Sequence, residues 1–267
     1  MNDSLLEIKH LEVRFNGFAV EAVSDVNIIV PKGKRVGIIG ESGSGKSVTG
    51  MSVLRLNDER AMKYGKNSQI WFKGENLLES PTKELAKIRG SEIAMIFQDP
   101  MSTLNPVFTV GRQIVDVLRT HLPQSYQHAR EKAIDSLQSV GIRESVRIFG
   151  QYPHQLSGGM RQRVMIAMAI SSRPSLLIAD EPTSALDVTV QASVLETLGN
   201  LADELGMSVL MITHDMGVVA RFCDEVYVMN HGTVVEYGLA ADILSNPVHS
   251  YTQQLLASVP RVYPAKH

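Results

Sequence analysis

The chain has 267 residues, 44% of them hydrophobic, and a formal net charge of -2. That much apolar side chain builds a sizeable core and excludes a disordered chain; the near-neutral balance excludes nucleic-acid binding by bulk electrostatics. Cys223 is the lone cysteine, which excludes an internal disulfide framework or a cysteine-cluster metal site and reads as a small buried thiol. The start, Met1 to Glu7, has neither the basic head nor the apolar centre of a secretion signal. No apolar run approaches the roughly 18 to 20 residues that span a bilayer. The composition predicts a soluble, cytosolic protein that meets a membrane only through a partner.

In chain order, the first thirty residues alternate as strands do: Leu6-Ile8, then Leu11-Val13-Phe15, then Val20 with Ala22-Val23, then Val26-Ile28-Val30. Pro31-Lys32-Gly33 is a turn into a short buried strand, Lys34 to Ile39, and a helix begins at Ser47. Gln69 to Gly74 reads as an edge strand and turn, and Glu92 to Phe97 as an apolar strand that stops at Gln98-Asp99-Pro100. From Pro100 to about Pro153 the apolar period becomes helical, through Val110-Ile114-Val117-Leu118 and Ala129-Ala133-Ile134-Leu137-Val140, with Gly141 as a helix C-cap. A further helix is expected from Gly158 to Ser172. After it come the strand Leu176 to Ala179, a helix over Val188 to Leu205, the strand Val209 to Ile212, and Val226 to Met229 with a hairpin through His231-Gly232. Strands alternating with helices call for an α/β fold, a parallel sheet covered on both faces.

The densest chemistry lies in Gly40-Glu41-Ser42-Gly43-Ser44-Gly45-Lys46-Ser47, which meets every fixed position of the phosphate-binding pattern G-x-x-x-x-G-K-[ST] between a strand and a helix. Its glycines let backbone N–H groups turn inward around an anion, and the helix N-terminus adds donors and a positive dipole end. Lys46 is expected to reach the β- and γ-phosphates and Ser47 to ligate Mg²⁺. An ordinary Gly/Ser turn before a helix does not require all four fixed positions in this setting, so the chain is expected to bind a nucleoside triphosphate.

Leu176 to Ala179 ends in Asp180-Glu181, two carboxylates at the strand end where parallel sheets bind ligands. Asp180 is expected to hold Mg²⁺, directly or through water, and Glu181 to polarise the attacking water. His214 ends the next strand, and a role at the γ-phosphate is expected for it rather than a structural one. Gln98 ends its own strand and offers an amide oxygen to Mg²⁺ or water without adding negative charge. In Leu156-Ser157-Gly158-Gly159-Met160-Arg161-Gln162-Arg163, Ser157 caps a helix whose glycines expose its first N–H groups, a second anion site.

This order of parts resembles the ATP-binding subunits of ABC transporters over nearly the whole chain. The Walker A loop is Gly40 to Ser47, the Q-loop is at Gln98, the signature covers Leu156 to Met160, Walker B covers Leu176 to Asp180, the D-loop is Ser184-Ala185-Leu186-Asp187, and the switch histidine is His214. The resemblance implies an ABC ATPase fold: a RecA-like P-loop NTPase core with an N-terminal antiparallel β-subdomain and an inserted helical subdomain. As one domain over 1–267, it assigns 1–98 and 160–240 to the core and β-subdomain, 99–159 to the helical subdomain and 241–267 to a short helical tail. It implies ATP and Mg²⁺ as cofactors, with Glu181, His214 and Gln98 catalytic and Ser47, Gln98 and Asp180 around the metal. Nucleotide contacts are implied for residues 40–47, Val48, Ser157, Gly158, Gly159 and Asp187, with Phe15 (or, second, Phe18) stacking on adenine. Met160 stands where the family's signature commonly has glutamine, which removes one polar contact but leaves the Ser-Gly-Gly site.

Phrases at 40–47, 97–106, 152–163 and 246–256 look like the oligopeptide, dipeptide and nickel importer branch. Implied partners are a second ATP-binding subunit, expected as a non-identical paralogue, two membrane-spanning permeases docking through coupling helices, and indirectly an extracytoplasmic substrate-binding protein. No nucleic-acid partner is implied; the expected location is the cytoplasmic face of the membrane. Some members carry a C-terminal cysteine cluster for iron–sulfur binding, and none is expected here. A non-transport ATPase of DNA repair or translation is an alternative, weakened by the missing coiled-coil insert, second cassette and basic surface. An exporter cassette is another, against which the importer-like phrases stand.

Overall fold

The computed structural model describes residues 4–99, 103–184 and 186–258. Within the importer-like phrases and loops named above, Pro100, Met101, Ser102, Ala185 and 259–267 lie outside the described residues. Strands β1 (Ser4–Phe15), β2 (Val23–Pro31), β4 (Met62–Tyr64), β5 (Gln69–Phe72) and β6 (Glu75–Asn76) form an antiparallel sheet in the order β2-β1-β5-β6, with β4 on β1. Strands β3 (Arg35–Ile39), β7 (Ile93–Ile96), β8 (Leu176–Asp180), β9 (Ser208–Thr213), β10 (Glu225–Asn230) and β11 (Thr233–Leu239) form a second sheet in the order β11-β10-β3-β9-β8-β7. Within it only the β10–β11 pair is antiparallel.

The second sheet sorts its side chains by the period of two that strand geometry imposes. Ile178, Leu210 and Ile212 face a core shared with α1 (Lys46–Val53) and the antiparallel sheet. Leu177, Ala179, Val209 and Met211 face a core built with helices α3 (Val110–His121), α4 (Tyr126–Ser139), α6 (Gly158–Ile170) and α7 (Val188–Leu205). Both faces are therefore covered, as expected, but mostly by a sheet on one side and by helices on the other. The helical stretch after Gln98 does not have a core of its own; Val110, Ile114 and Leu137 belong to the same contiguous cluster as Leu177 and Met211.

Two local expectations need correction. Leu6-Ile8 and Leu11-Val13 are not separate strands but one, β1. Their alternation changes phase, and the strand absorbs the extra residue in a bulge at Lys9-His10, where His10 takes φ +48° and both side chains are exposed. Val20 is not in a strand: it lies 77% exposed after the Asn16-Gly17 turn, and β2 begins only at Val23. Gly141 does follow α4 in the left-handed conformation, with Ile142 N donating to Leu137 O and Gly141 N to Gln138 O. Short elements went unread: β4, β6, α2 (Thr82–Ile88), α5 (Ser145–Phe149) and α8 (Met216–Phe222).

The helical layer packs closely where α3 begins. A Cβ on Gly111 would stand 2.2 Å from ring carbons of Phe149, including the Cγ nearest the backbone, so the ring or the backbone carrying it must shift. Gly111→Ala is expected to destabilise the chain by about 1–3 kcal/mol, as overpacked cores do, read as a lowered melting temperature; an unchanged melt would refute this packing.

Candidate active site at the strand ends

The parallel register decides which residues meet. Ile39 pairs with Thr213, Asp180 with Ile212 and Ile96 with Ala179, so β3, β9, β8 and β7 all finish at one edge of the sheet. The residues that follow, Gly40, His214, Glu181 and Gln98, are delivered to that edge by topology alone.

The 40–47 loop leaves β3 under tight constraint. Gly40 has φ +155°, and a Cβ there would lie 2.1 Å from Met229 O; at Gly45, with φ +98°, it would lie 2.6 Å from Ala22 O. Glycine is required at both for conformation and for space. Gly45 then stands as N-cap of α1 with no side chain capping the first turn, which leaves a helix start suited to an anion. Lys46 is buried, and its Nζ donates to Gly40 O and Glu41 O, each at 2.8 Å. Burial pushes its pKa down, while the carboxylates of Glu181, Asp180 and Glu41 oppose that shift.

Ser47 Oγ donates to Asp180 Oδ1 at 3.0 Å. Burial pushes the Asp180 carboxyl above its usual range, the Ser47 hydrogen bond opposes this, and neighbouring Glu181 adds to it. A buried, under-compensated carboxylate beside a hydroxyl is a hard oxygen pair of the kind Mg²⁺ takes. Among the described residues no group of three or more His, Cys, Asp or Glu could hold a metal by itself, so these oxygens fit an ion that shares its remaining ligands with phosphate and water. Because the free chain disfavours the charge at Asp180, Asp180→Asn is expected to raise the melting temperature of the ligand-free protein. A lower melting temperature would show that the charge is already compensated.

Glu181 has φ +47°, a left-handed conformation uncommon outside glycine, and its N–H donates to Ile212 O at 2.8 Å. Its two carboxylate oxygens are both engaged: Oε2 accepts from Gln98 Nε2 at 2.9 Å, and Oε1 lies 2.9 Å from His214 Nδ1. The sequence placed Gln98 at the metal and His214 at the γ-phosphate; in this structure each makes a hydrogen bond to Glu181, through Gln98 Nε2 and His214 Nδ1. The left-handed turn and the two partners hold the carboxylate at the strand end, near enough to Lys46 to oppose the fall in its pKa.

The remaining candidates stand apart from this cluster. Ser157 caps α6, its Oγ accepting from Met160 N at 3.3 Å. Gly158 faces open space, whereas a Cβ on Gly159 would meet Val190 of α7 at 2.9 Å, so the two glycines have different reasons. Met160 packs half-buried against the helical core. Asp187 caps α7 with its Oδ1 on Val190 N at 3.0 Å. Phe15 is half-buried against the antiparallel sheet's core, while Phe18, across the turn, is 72% exposed. Val48 is half-buried on α1, and the side chains of Glu41 and Ser42 are exposed.

Residues not anticipated brace the loop from outside. Gly232 N in the β10–β11 turn donates to Ser44 O at 3.1 Å, and Glu41 N donates to the Tyr251 hydroxyl at 3.1 Å. Gln191 of α7 donates to Asp215, next to His214, at 2.8 Å. Only the hairpin and the 246–256 phrase gave any signal in the sequence, and neither pointed at the loop.

A Gly-rich strand-to-helix loop with a buried lysine, a Ser–Asp oxygen pair and a poised glutamate on a mixed six-stranded sheet define an ATP-binding cassette, an ATPase. Solved cassettes share the fold. The dimeric, post-hydrolysis state of the ATP-binding cassette MJ0796 bound to ADP and Pi superposes with TM-score 0.77 at 28% identity, covering 88% of this chain and 98% of that one. CbiO1 from Clostridium perfringens, part of the ABC transporter complex cbiONQ, gives TM-score 0.79 at 25% identity over 91% and 92%. The family described as ABC transporter matches residues 23–184, and the chain belongs to it. A second family, Oligopeptide/dipeptide transporter, C-terminal region, matches 235–267. Among curated relatives, a putative peptide import ATP-binding protein of Brucella abortus is 50% identical over 96% of this chain and 77% of its own length. The probable D,D-dipeptide transport ATP-binding protein DdpD of Escherichia coli is 48% identical over 97% and 80%. The oligopeptide transport ATP-binding protein OppD of Bacillus subtilis is 47% identical over 96% and 72%.

Proposed function

We propose that the chain is the ATP-hydrolysing subunit of a peptide importer, and that the cluster at the strand ends performs the hydrolysis. The observation that carries the chemistry is the carboxylate of Glu181 held between Gln98 and His214 beside the Ser47–Asp180 pair. In this reading the amides of the 40–47 loop and of Val48 cradle the phosphates, Lys46 meets the β- and γ-phosphates, and Phe15 stacks on adenine. Ser47 and Asp180, with Gln98, hold Mg²⁺, which when bound would offset phosphate charge. Glu181 orients a water and accepts its proton as the water oxygen bonds to the γ-phosphorus and the bond to the β–γ bridging oxygen breaks. His214 steadies Glu181 and the departing phosphate.

Ser157, Gly158 and Gly159 complete the site of a second ATP-binding subunit, a non-identical paralogue, so that ATP closes the pair and hydrolysis reopens it. Asp187 lines the same seam. In this reading 1–98 and 160–240 form the core and its β-subdomain, 99–159 the permease-facing helical subdomain and 241–267 the tail. Among the described residues no helix is long and apolar enough to cross a membrane, so attachment at the cytoplasmic face falls to two permeases, with a substrate-binding protein outside. The match of 235–267 to the oligopeptide/dipeptide C-terminal family supports peptide cargo.

The test is isolation of the tagged chain from its native membranes. It should bring down two permeases and a second ATP-binding subunit, and in vesicles the complex should hydrolyse ATP faster when a peptide-loaded binding protein is present. Recovery with ribosomes or DNA, or stimulation by nickel and not by peptide, would overturn the reading.

A further inference from the structure

One peptide unit of the phosphate loop, the one joining Gly40 to Glu41, is held from both sides. Its carbonyl, Gly40 O, accepts from Lys46 Nζ at 2.8 Å, and its amide, Glu41 N–H, donates to the Tyr251 hydroxyl at 3.1 Å. In a planar trans peptide the C=O and N–H point in opposite directions, so these two contacts hold the unit at both poles and fix its rotation. Tyr251 lies in the first turn of α10 (Ser250–Ala257), its ring half-buried against the apolar cluster around Ile39, Val228 and Leu255.

That first turn is itself moored. Glu236 of β11 accepts from Val248 N at 2.7 Å and from His249 N at 3.1 Å, and His249 Nδ1 accepts from Tyr251 N at 3.2 Å. Burial works to raise the pKa of Glu236, yet the hydrogen bonds it receives hold it below the usual carboxylate range, so it remains an anionic anchor. The anchoring residues Glu236, Val248, His249 and Tyr251 lie in 235–267, outside the segment that matches the ABC transporter family, while the peptide unit they hold lies inside it.

We propose that Tyr251 is a positioning residue for nucleotide binding: through the 40–41 peptide unit it sets the carbonyl on which Lys46 rests, and with it the place of the ammonium that meets the phosphates. This rests on the reading of 40–47 as the triphosphate cradle. Tyr251 shares no hydrogen bond with Glu181, Gln98 or His214, so its contribution falls on ATP affinity and not on turnover.

The experiment uses the full chain with Tyr251→Phe, which keeps the ring in its cluster and removes only the acceptor. Affinity is titrated with a fluorescent ATP analogue and Mg²⁺, and KM and kcat are measured for ATP. Loss of one hydrogen bond is expected to raise Kd and KM about three- to tenfold, with kcat within about twofold and the melting temperature within about 2 °C. Glu236→Ala should raise KM by a similar factor, and the double variant should add little, because both act through one contact. An unchanged KM in Tyr251→Phe, or a fall in kcat and melting temperature alongside it, would overturn the proposal. Lys46→Ala separates the two readings: if it binds nucleotide normally, Lys46 does not hold the phosphates and Tyr251's role falls with it. If it loses nucleotide while Tyr251→Phe behaves as wild type, only Tyr251's role is wrong.

Discussion

Glu181→Gln is expected to bind ATP with unchanged affinity and to hydrolyse it about 10²- to 10⁴-fold more slowly, the range lost when a positioned general base is removed. The substitution keeps the shape of the site. The introduced amide can still accept from Gln98 Nε2 through its oxygen, and its NH₂ can face His214 Nδ1 once the imidazole carries its proton on the other nitrogen. What is lost is basicity at the carboxylate held between Gln98 and His214. Single-turnover hydrolysis and nucleotide titration on the same preparation separate binding from chemistry. Hydrolysis within tenfold of wild type would remove Glu181 from the proposed role and pass it to His214, the remaining basic group in the cluster.

The same cluster shows how far a sequence carries this kind of site. Gly40 to Ser47 was legible because every constraint on it is local: four fixed positions within eight residues, between a β-run and a helix. Asp180, Glu181, His214 and Gln98 were legible one at a time, as polar residues closing apolar strands. Their joint arrangement was not. Gln98 and His214 are 83 and 33 residues from Glu181, and only the order β3-β9-β8-β7 brings their strand ends together. An expectation built strand by strand treated each residue alone and did not foresee that Gln98 and His214 share the Glu181 carboxylate.

Elsewhere the losses have similar causes. The split of β1 followed from reading alternation as uninterrupted, because a bulge inverts the phase without ending the strand. Helices α2 and α8 have seven residues each, too few for a helical period to stand out. The hydrogen bond from Glu41 to Tyr251 joins residues 210 apart through a backbone amide, and a backbone amide carries no residue-specific signal at all.

Lys46→Ala is expected to weaken ATP binding by about 10- to 100-fold, the effect of losing one to two hydrogen bonds from a charged donor to phosphate. Its environment argues for so large a value. Lys46 as a residue is 5% exposed and its ammonium is occupied by Gly40 O and Glu41 O, so the free protein already holds it largely desolvated and little ordering remains to be done on binding. Removing it also leaves Asp180 and Glu181 at the strand ends without the cation whose pKa they help to hold up. In a titration without Mg²⁺, the same triphosphate must then approach two carboxylates with nothing positive between. The defect should therefore deepen as pH rises through the Asp180 carboxyl's raised pKa and that group ionises. Titration of a fluorescent ATP analogue at two pH values, with a circular dichroism melt to establish that the variant is folded, measures both effects. Binding within threefold of wild type by a folded variant would show that the loop's amides suffice and that Lys46 serves only to close the loop on itself.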